Sequence, residues 1–244
     1  MQDTTQQDNW KRLAGEAAAR LIEDDMVLGL GSGSTASYVV RTLGLRIQEG
    51  LRIVGAVPTS NATEQLAREL SIPLTTLDAH PELDLVIDGA DEIDPRLCLI
   101  KGGGGALLRE KIVASAARRF VVVGDVTKQV PLLGTHFPLP IEIVPFALPL
   151  VRKRLEALGA SVQVRHKEDQ VFVTDNGNMI LDCSFQGGIR EPGELQTQLK
   201  RIVGVVETGL FLNMAERAII GGPEGVKEVM GYGMNGGGFH AAQM

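Results

Sequence analysis

Aromatic side chains are scarce in this 244-residue chain, at 4% of residues. The stacking platforms that hold single-stranded nucleic acid are therefore not expected. Positive charge is also in deficit. Against 30 Asp and Glu stand 24 Lys and Arg, a net charge of −6, which argues against nucleic acid or an anionic membrane as partner. An anionic ligand would need a local cluster of cations. The two cysteines, Cys98 and Cys183, each sit in an apolar run. They have no metal-binding spacing and make no disulfide framework, so buried reduced thiols are expected. The four histidines (His80, His136, His166, His240) form no cluster, so neither a histidine metal site nor histidine acid–base catalysis is supported. No apolar stretch approaches the ~20 residues that span a bilayer. The first ten residues lack the basic and apolar regions of a signal peptide, and a cytoplasmic location is expected.

Apolar residues make up 44% of the chain, enough for one large or two small cores. Short apolar runs at 26–30, 52–57, 83–87, 97–100 and 120–123 alternate with helical patterns at 8–24, 34–48, 60–70 and 106–118. Asp8 and Ser60 or Thr59 are candidate caps. That alternation predicts a parallel α/β sheet with helical crossovers. After Gly134 the chain becomes proline-rich. It then reads strand 141–144, helix 146–158, strands 161–165 and 171–174, an Asn176-Gly177 turn, strand 179–183, helix 192–202 and strand 205–208. This β-α-β-β-α-β order with one extra strand resembles a ferredoxin-like domain. Strands at 210–214 and 217–221 and a short helix at 224–230 return to the first unit. The expected fold is thus α/β, with a Rossmann-like parallel-sheet domain (1–133 and 206–244) and a smaller ferredoxin-like α+β domain (134–205). The glycine-rich segment 231–244 is expected to be a flexible tail.

Three carboxylates, a lysine and a run of four glycines crowd into residues 88–110. Asp88 and Asp91 follow an apolar run, in a position to border the crevice at the carboxyl ends of parallel strands. Lys101 ends another run, and Gly102 to Gly105 place bare N–H groups at a helix start, where anions bind. Gly29-Leu30-Gly31-Ser32-Gly33-Ser34-Thr35 joins a strand to a helix, so it reads as a second anion-binding turn or as a plain turn. It is not a Walker A loop, because no Gly-Lys-Ser/Thr ends it. The spacing of Gly31 and Gly33 calls for glycine at Ala36. An alanine variant keeps a dinucleotide fold as a rival, although Glu49 precedes the second strand instead of ending it. Lys128 follows the run at 120–123 and reads equally well as a surface lysine.

Glu110 differs from a surface glutamate. At roughly 100° per residue, Ala106, Ala117, Glu110 and Ala114 fall within about 80° of one another, while Lys111, Arg118 and Ser115 lie outside that arc. A glutamate centred on an apolar stripe needs a partner or a task. Desolvation would raise its pKa into the range of a general base, and the plain alternative is a buried salt bridge to Lys101. Together these groups point to proton transfer on a small, oxygen-rich anion.

The same residues carry a family resemblance. The segments 29–36, 88–93, 101–107, 109–111, 128–130, 137–140, 173–178 and 205–211 resemble ribose-5-phosphate isomerases of the A type. The resemblance covers about residues 9–230. It implies interconversion of ribose 5-phosphate and ribulose 5-phosphate through a cis-enediolate, in the non-oxidative pentose phosphate pathway, without metal or organic cofactor. By that resemblance Glu110 is the base and Lys101 stabilises the enediolate. Asp88 and Asp91 carry hydroxyl protons and help open the ring. Ser32, Gly33, Ser34, Thr35, Asp88, Gly89, Ala90, Asp91, Lys101, Gly102, Gly103, Gly104 and Lys128 form the substrate site, and Lys11 assists with phosphate. A homodimer or homotetramer is implied. The rivals are a sugar-phosphate deaminase or CoA transferase on the same fold, and a non-catalytic sugar-phosphate or nucleotide sensor.

Overall fold

A computed structural model describes residues 4–231, so the expected tail lies, beyond Gly231, outside the described residues. The first part of the chain runs α1 (Thr4–Ala19), β1 (Val27–Leu30), α2 (Ser34–Gln48), β2 (Gly55–Pro58), α3 (Asn61–Glu69), β3 (Leu85–Gly89), β4 (Glu92–Ile93), β5 (Leu99–Ile100), α4 (Leu107–Ser115) and β6 (Phe120–Asp125). The middle runs β7 (Leu139–Ile143), α5 (Leu148–Ala157), β8 (Ala160–Val164), β9 (His166–Lys167), β10 (Gln170–Val171), β11 (Met179–Phe185), α6 (Pro192–Lys200) and β12 (Val205–Thr208). The return is β13 (Leu210–Phe211), β14 (Arg217–Gly222) and β15 (Gly225–Met230).

The main sheet has six strands in the order β15-β14-β6-β3-β1-β2. All its pairings are parallel except β14 with β15. Strands β1, β3 and β6 are covered on both faces, so they are almost continuously apolar and successive residues serve opposite cores. Leu28, Leu85, Ile87, Val121 and Val123 pack with α1, α2 and α3. Val27, Val86, Val122 and Ile220 pack against α4 and the β4–β5–β13 sheet. The middle segment forms a four-stranded antiparallel sheet, β12-β7-β11-β8, with α5 and α6 in its connections. That is the ferredoxin-like order, closed over a separate core of Ile141, Ile143, Leu155, Leu181 and Leu199. The fold class matches the expectation. Both cysteines are free and buried, and burial pushes the Cys183 thiol up to about 12.

Asp8 does not cap α1, which is already helical at Thr4; Asp8 lies inside it and accepts a hydrogen bond from the Tyr38 hydroxyl at 2.6 Å. The expected helix at 224–230 is the edge strand β15, because Gly225 (φ +98°) closes a tight hairpin that returns Val226 and Val229 along β14. The extra strand at 171–174 shrinks to a two-residue pairing of β10 with β9. Only Val173 bridges to Met179 across the Asn-Gly turn.

Helix α1 crosses β14 so closely that a Cβ on Gly221 would lie 2.0 Å from the Trp10 carbonyl oxygen. Gly221→Ala should therefore destabilise the protein by about 1–3 kcal/mol, as overpacking does. Urea unfolding of the two proteins checks this.

Candidate active site

The main sheet reverses its winding between β1 and β3, and that crevice is where open α/β sheets bind ligands. Two loops meet there. Asp88, 1% exposed, lies near the end of β3 and accepts hydrogen bonds at Oδ1 from the amides of Ser32 (2.9 Å) and Gly89 (2.7 Å). The approach is close enough to require glycine next door: a Cβ on Gly31 would lie 2.2 Å from Asp88 Oδ1. Gly33, at φ +91°, then starts α2 without any side-chain cap, which leaves helix N–H groups free for an anion.

Lys101 was expected to end a parallel strand of the main sheet. Instead it ends β5, in an antiparallel three-stranded sheet ordered β13-β5-β4. A tight turn at Asp94–Leu97 (Leu97 φ +58°, its N–H donating to the Asp94 carbonyl at 3.0 Å) folds the run back on β4, and β13 pairs with its other edge. That small sheet still aims Lys101 at the crevice. Its Nζ lies 3.0 Å from Asp88 Oδ2 and 3.2 Å from Glu110 Oε1, and it donates to the Gly89 carbonyl at 2.5 Å. The Asp88 contact is an ion pair without hydrogen-bond alignment, and Asp88 Oδ2 accepts no hydrogen bond. Lys101 itself is 2% exposed.

Glu110 lies on α4 among buried Leu107, Val113 and Ala114, as the helical angles indicated. It is 5% exposed, and its Oε2 has no hydrogen-bond partner among the described residues. Desolvation raises its pKa to about 8, opposed by the Lys101 cation and reinforced by the Asp88 charge. Burial likewise raises Asp88, again against Lys101. Burial works against the Lys101 charge, but its carboxylates outweigh that and hold it cationic. One cation thus faces two carboxyl groups, so the second to ionise does so reluctantly. The salt bridge and the raised pKa coexist at one residue.

These groups border a cavity of about 100 Å³, lined by residues 32–35, 89–91 and 101–104 with Glu110 and Lys128. Every residue expected at the site lines it except Asp88, which lies just beneath, and Lys11, which is not among the lining residues. Asp91 faces the cavity and accepts the Gly103 amide at 2.7 Å. Lys128 closes a 3-10 turn after β6 and makes no ion pair among the described residues. A wider groove of about 1190 Å³ adjoins at residues 32–34 and Gly104, and reaches the hairpin at 167–173.

Other contributors were not foreseen. The Ser32 hydroxyl is held by Thr59 and Ser60, both at 2.8 Å, and by Thr63, so it braces α3 against the glycine loop. Arg165, next to β8, donates to the carbonyls of Gly102 and Gly103. Nothing in the sequence marks it, since its partners are some sixty residues away in the loop between β5 and α4.

The family description "Ribose 5-phosphate isomerase A (phosphoriboisomerase A)" matches residues 55–225. The chain is 54% identical over 220 residues to ribose-5-phosphate isomerase A of Bacillus mycoides (strain KBAB4), covering 90% of this chain and 99% of that protein. The solved ribose 5-phosphate isomerase from Plasmodium falciparum superposes with a TM-score of 0.89 at 38% identity, over 92% of this chain and 99% of that one. A D-ribose-5-phosphate isomerase in complex with phospho-erythronic acid superposes with a TM-score of 0.88 at 40% identity, over 91% and 98%.

The raised carboxyl has a consequence for stability. Between its ordinary 4.5 and about 8, Glu110 keeps a proton in the folded state that the unfolded chain has released. The unfolded state then binds fewer protons, so stability falls as pH rises through that window. Glu110→Gln should flatten this slope. Urea midpoints measured across the window in both proteins check it; an unchanged slope would place the titration elsewhere.

Proposed function

The chain belongs to the ribose 5-phosphate isomerase A family, and from that premise we propose that residues around Lys101 and Glu110 interconvert ribose 5-phosphate and ribulose 5-phosphate. The observation that carries this assignment is Glu110: buried, with one oxygen paired to Lys101 and the other unpartnered, on the wall of a polar cavity.

Glu110 takes the proton from C2 of the open-chain aldose and returns it to C1. Between these steps the substrate is a cis-enediolate. The O1 oxygen gains a proton and O2 loses one, which makes the ketose. Lys101 faces the developing oxyanion and stabilises it without itself losing a proton. Asp91, on the cavity wall, carries the hydroxyl protons. Asp88 lies below that wall, so its part is to hold Lys101 and the glycine loop while the ring opens. The uncapped start of α2, the hydroxyls of Ser34 and Thr35, and the Lys128 ammonium gather positive potential at one end of the cavity, which suits the phosphate. Gly89, Ala90 and residues 102–104 leave room for the sugar. The phospho-erythronic acid held by a relative is a phosphorylated sugar acid, which supports a sugar-phosphate substrate. Its planar carboxylate resembles the planar oxygens of an enediolate, as transition-state complementarity favours.

Residues 1–133 and 206–244 form the catalytic unit, and residues 134–205 form a smaller one. Assembly is assigned to the smaller. Phe146 is 96% exposed and Val203 81%, and such apolar surface favours a homodimer or homotetramer. Two free, buried thiols support a reducing compartment, the cytoplasm. No helix of the described residues is long and apolar enough to cross a membrane.

Glu110→Gln should lower kcat by about 10²–10⁴-fold, as losing a general base does, with KM little changed. Exchange of the C2 proton with deuterated water should fall in parallel. An active Gln variant would move the base elsewhere, and ligand binding without exchange in the unsubstituted protein would favour a sensor. Activity should survive EDTA; strict metal dependence would contradict this route. Light scattering should give two or four times the chain mass, and Phe146→Asp should reduce it.

A further inference from the structure

We infer that Arg165 is a positioning residue for Asp91, reaching it from the smaller sheet through a single peptide group. The inference rests on the reading of Asp91 as the carrier of hydroxyl protons.

The guanidinium is fixed at its base. Asp182 on β11 pairs with it in a fork, Nε to Oδ2 at 2.9 Å and Nη2 to Oδ1. The remaining nitrogen, Nη1, donates to the carbonyls of Gly102 (2.6 Å) and Gly103 (3.1 Å). The Gly102 carbonyl and the Gly103 N–H are the two ends of one peptide, and in a trans peptide they point in opposite directions. Arg165 at one end therefore turns the other toward Asp91, whose Oδ2 accepts the Gly103 amide at 2.7 Å. A charged donor on the carbonyl also polarises the N–H, so the two hydrogen bonds strengthen each other.

The glycine run makes this clamp necessary. A Cβ on Gly103 would lie 2.5 Å from Asp91 Oδ1 and push that carboxylate out of place. Gly102 sits at φ +102°, a backbone state that glycine reaches readily and leaves as readily. The sequence around Asp91 thus removes the side chains that would have ordered the loop. Order is supplied by Arg165, whose side chain is only 12% exposed. A lysine could not both pair with Asp182 in a fork and reach two carbonyls.

The test is a double-mutant cycle. Arg165→Met is made in the unsubstituted protein and in Asp91→Asn, and kcat and KM for ribose 5-phosphate isomerisation are measured. In the unsubstituted background kcat should fall roughly 10–100-fold, the scale of a misplaced reacting group, with KM changing much less. In the Asp91→Asn background the same change should cost less than about threefold, because the carboxylate it positioned is gone. Arg165→Lys should recover part of kcat. Should Arg165→Met not fold, Arg165→Lys carries the cycle, with a smaller loss that again vanishes beside Asp91→Asn. Equal losses in both backgrounds would mean a merely structural role and overturn the inference, as would full activity in Asp91→Asn. An unsubstituted protein without isomerase activity would instead refute the reaction itself, so the two failures are distinguishable.

Discussion

A single buried ammonium, Lys101, between two buried carboxyl groups sets the terms for everything around it. Taking such charges out of water costs several kcal/mol each, and only close, multiple pairing offsets that. The site offers that pairing from separate stretches of chain: Asp88 lies near the end of β3, Glu110 lies on α4, and the Gly89 carbonyl accepts a hydrogen bond from the same ammonium. Asp88 is in turn pinned by the Ser32 amide, so the glycine loop after β1 belongs to the same assembly. Displacing any one of these elements would strand a charge in a dry interior. The ion pairs therefore fix the crevice geometry more strictly than apolar packing alone, which tolerates substitutions of similar volume.

The larger sheet supplies half of that geometry. Its winding reverses between β1 and β3, which brings Gly31 and Asp88 together. The other half comes from the small sheet of β4, β5 and β13. It lies against the main core through Leu99 and Phe211 while presenting Lys101 at its edge. The smaller unit then reaches back over the site. Arg165 grips the glycine run, and Arg109 on α4 is tied to Asn61, Asn176 and the Asp175 carbonyl. Glu142, fully buried, holds Thr174, Asn176 and Asn178. The two sheets thus share responsibility for the loops between them.

Much of this was legible in the sequence, for identifiable reasons. The apolar runs of β1, β3 and β6 are buried on both faces, so they stand out as runs, and the helical angle of Glu110 announced its burial. The placement of Lys101 was not legible: a run of four apolar residues reads the same whether it joins a parallel sheet or a two-residue antiparallel pairing. β15 was misread as a helix because an exposed edge strand lacks a clear period, and only the Gly225 turn decides it. Arg165 and the Ser32 hydroxyl network depend on contacts between distant segments, which a local pattern does not encode. Asp88 looked like a wall residue; the close packing of Gly31 against it places it one layer deeper.

The raised pKa of Glu110 gives the arrangement its chemical sense. A glutamate in water is too weak a base to take a proton from carbon, while one buried without a cation would stay protonated. Lys101 holds it between these limits. In the proposed reaction the proton leaves C2 for Glu110, and the negative charge passes from the carboxylate to the enediolate oxygen. Lys101 faces both positions. The number of negative charges around the ammonium is the same before and after the transfer, so little of the surrounding protein has to reorient. Fixed groups that need no reorganisation are the most effective stabilisers of a charged transition state. The burial that makes the triad costly to fold is thus also what keeps its field fixed while the proton moves.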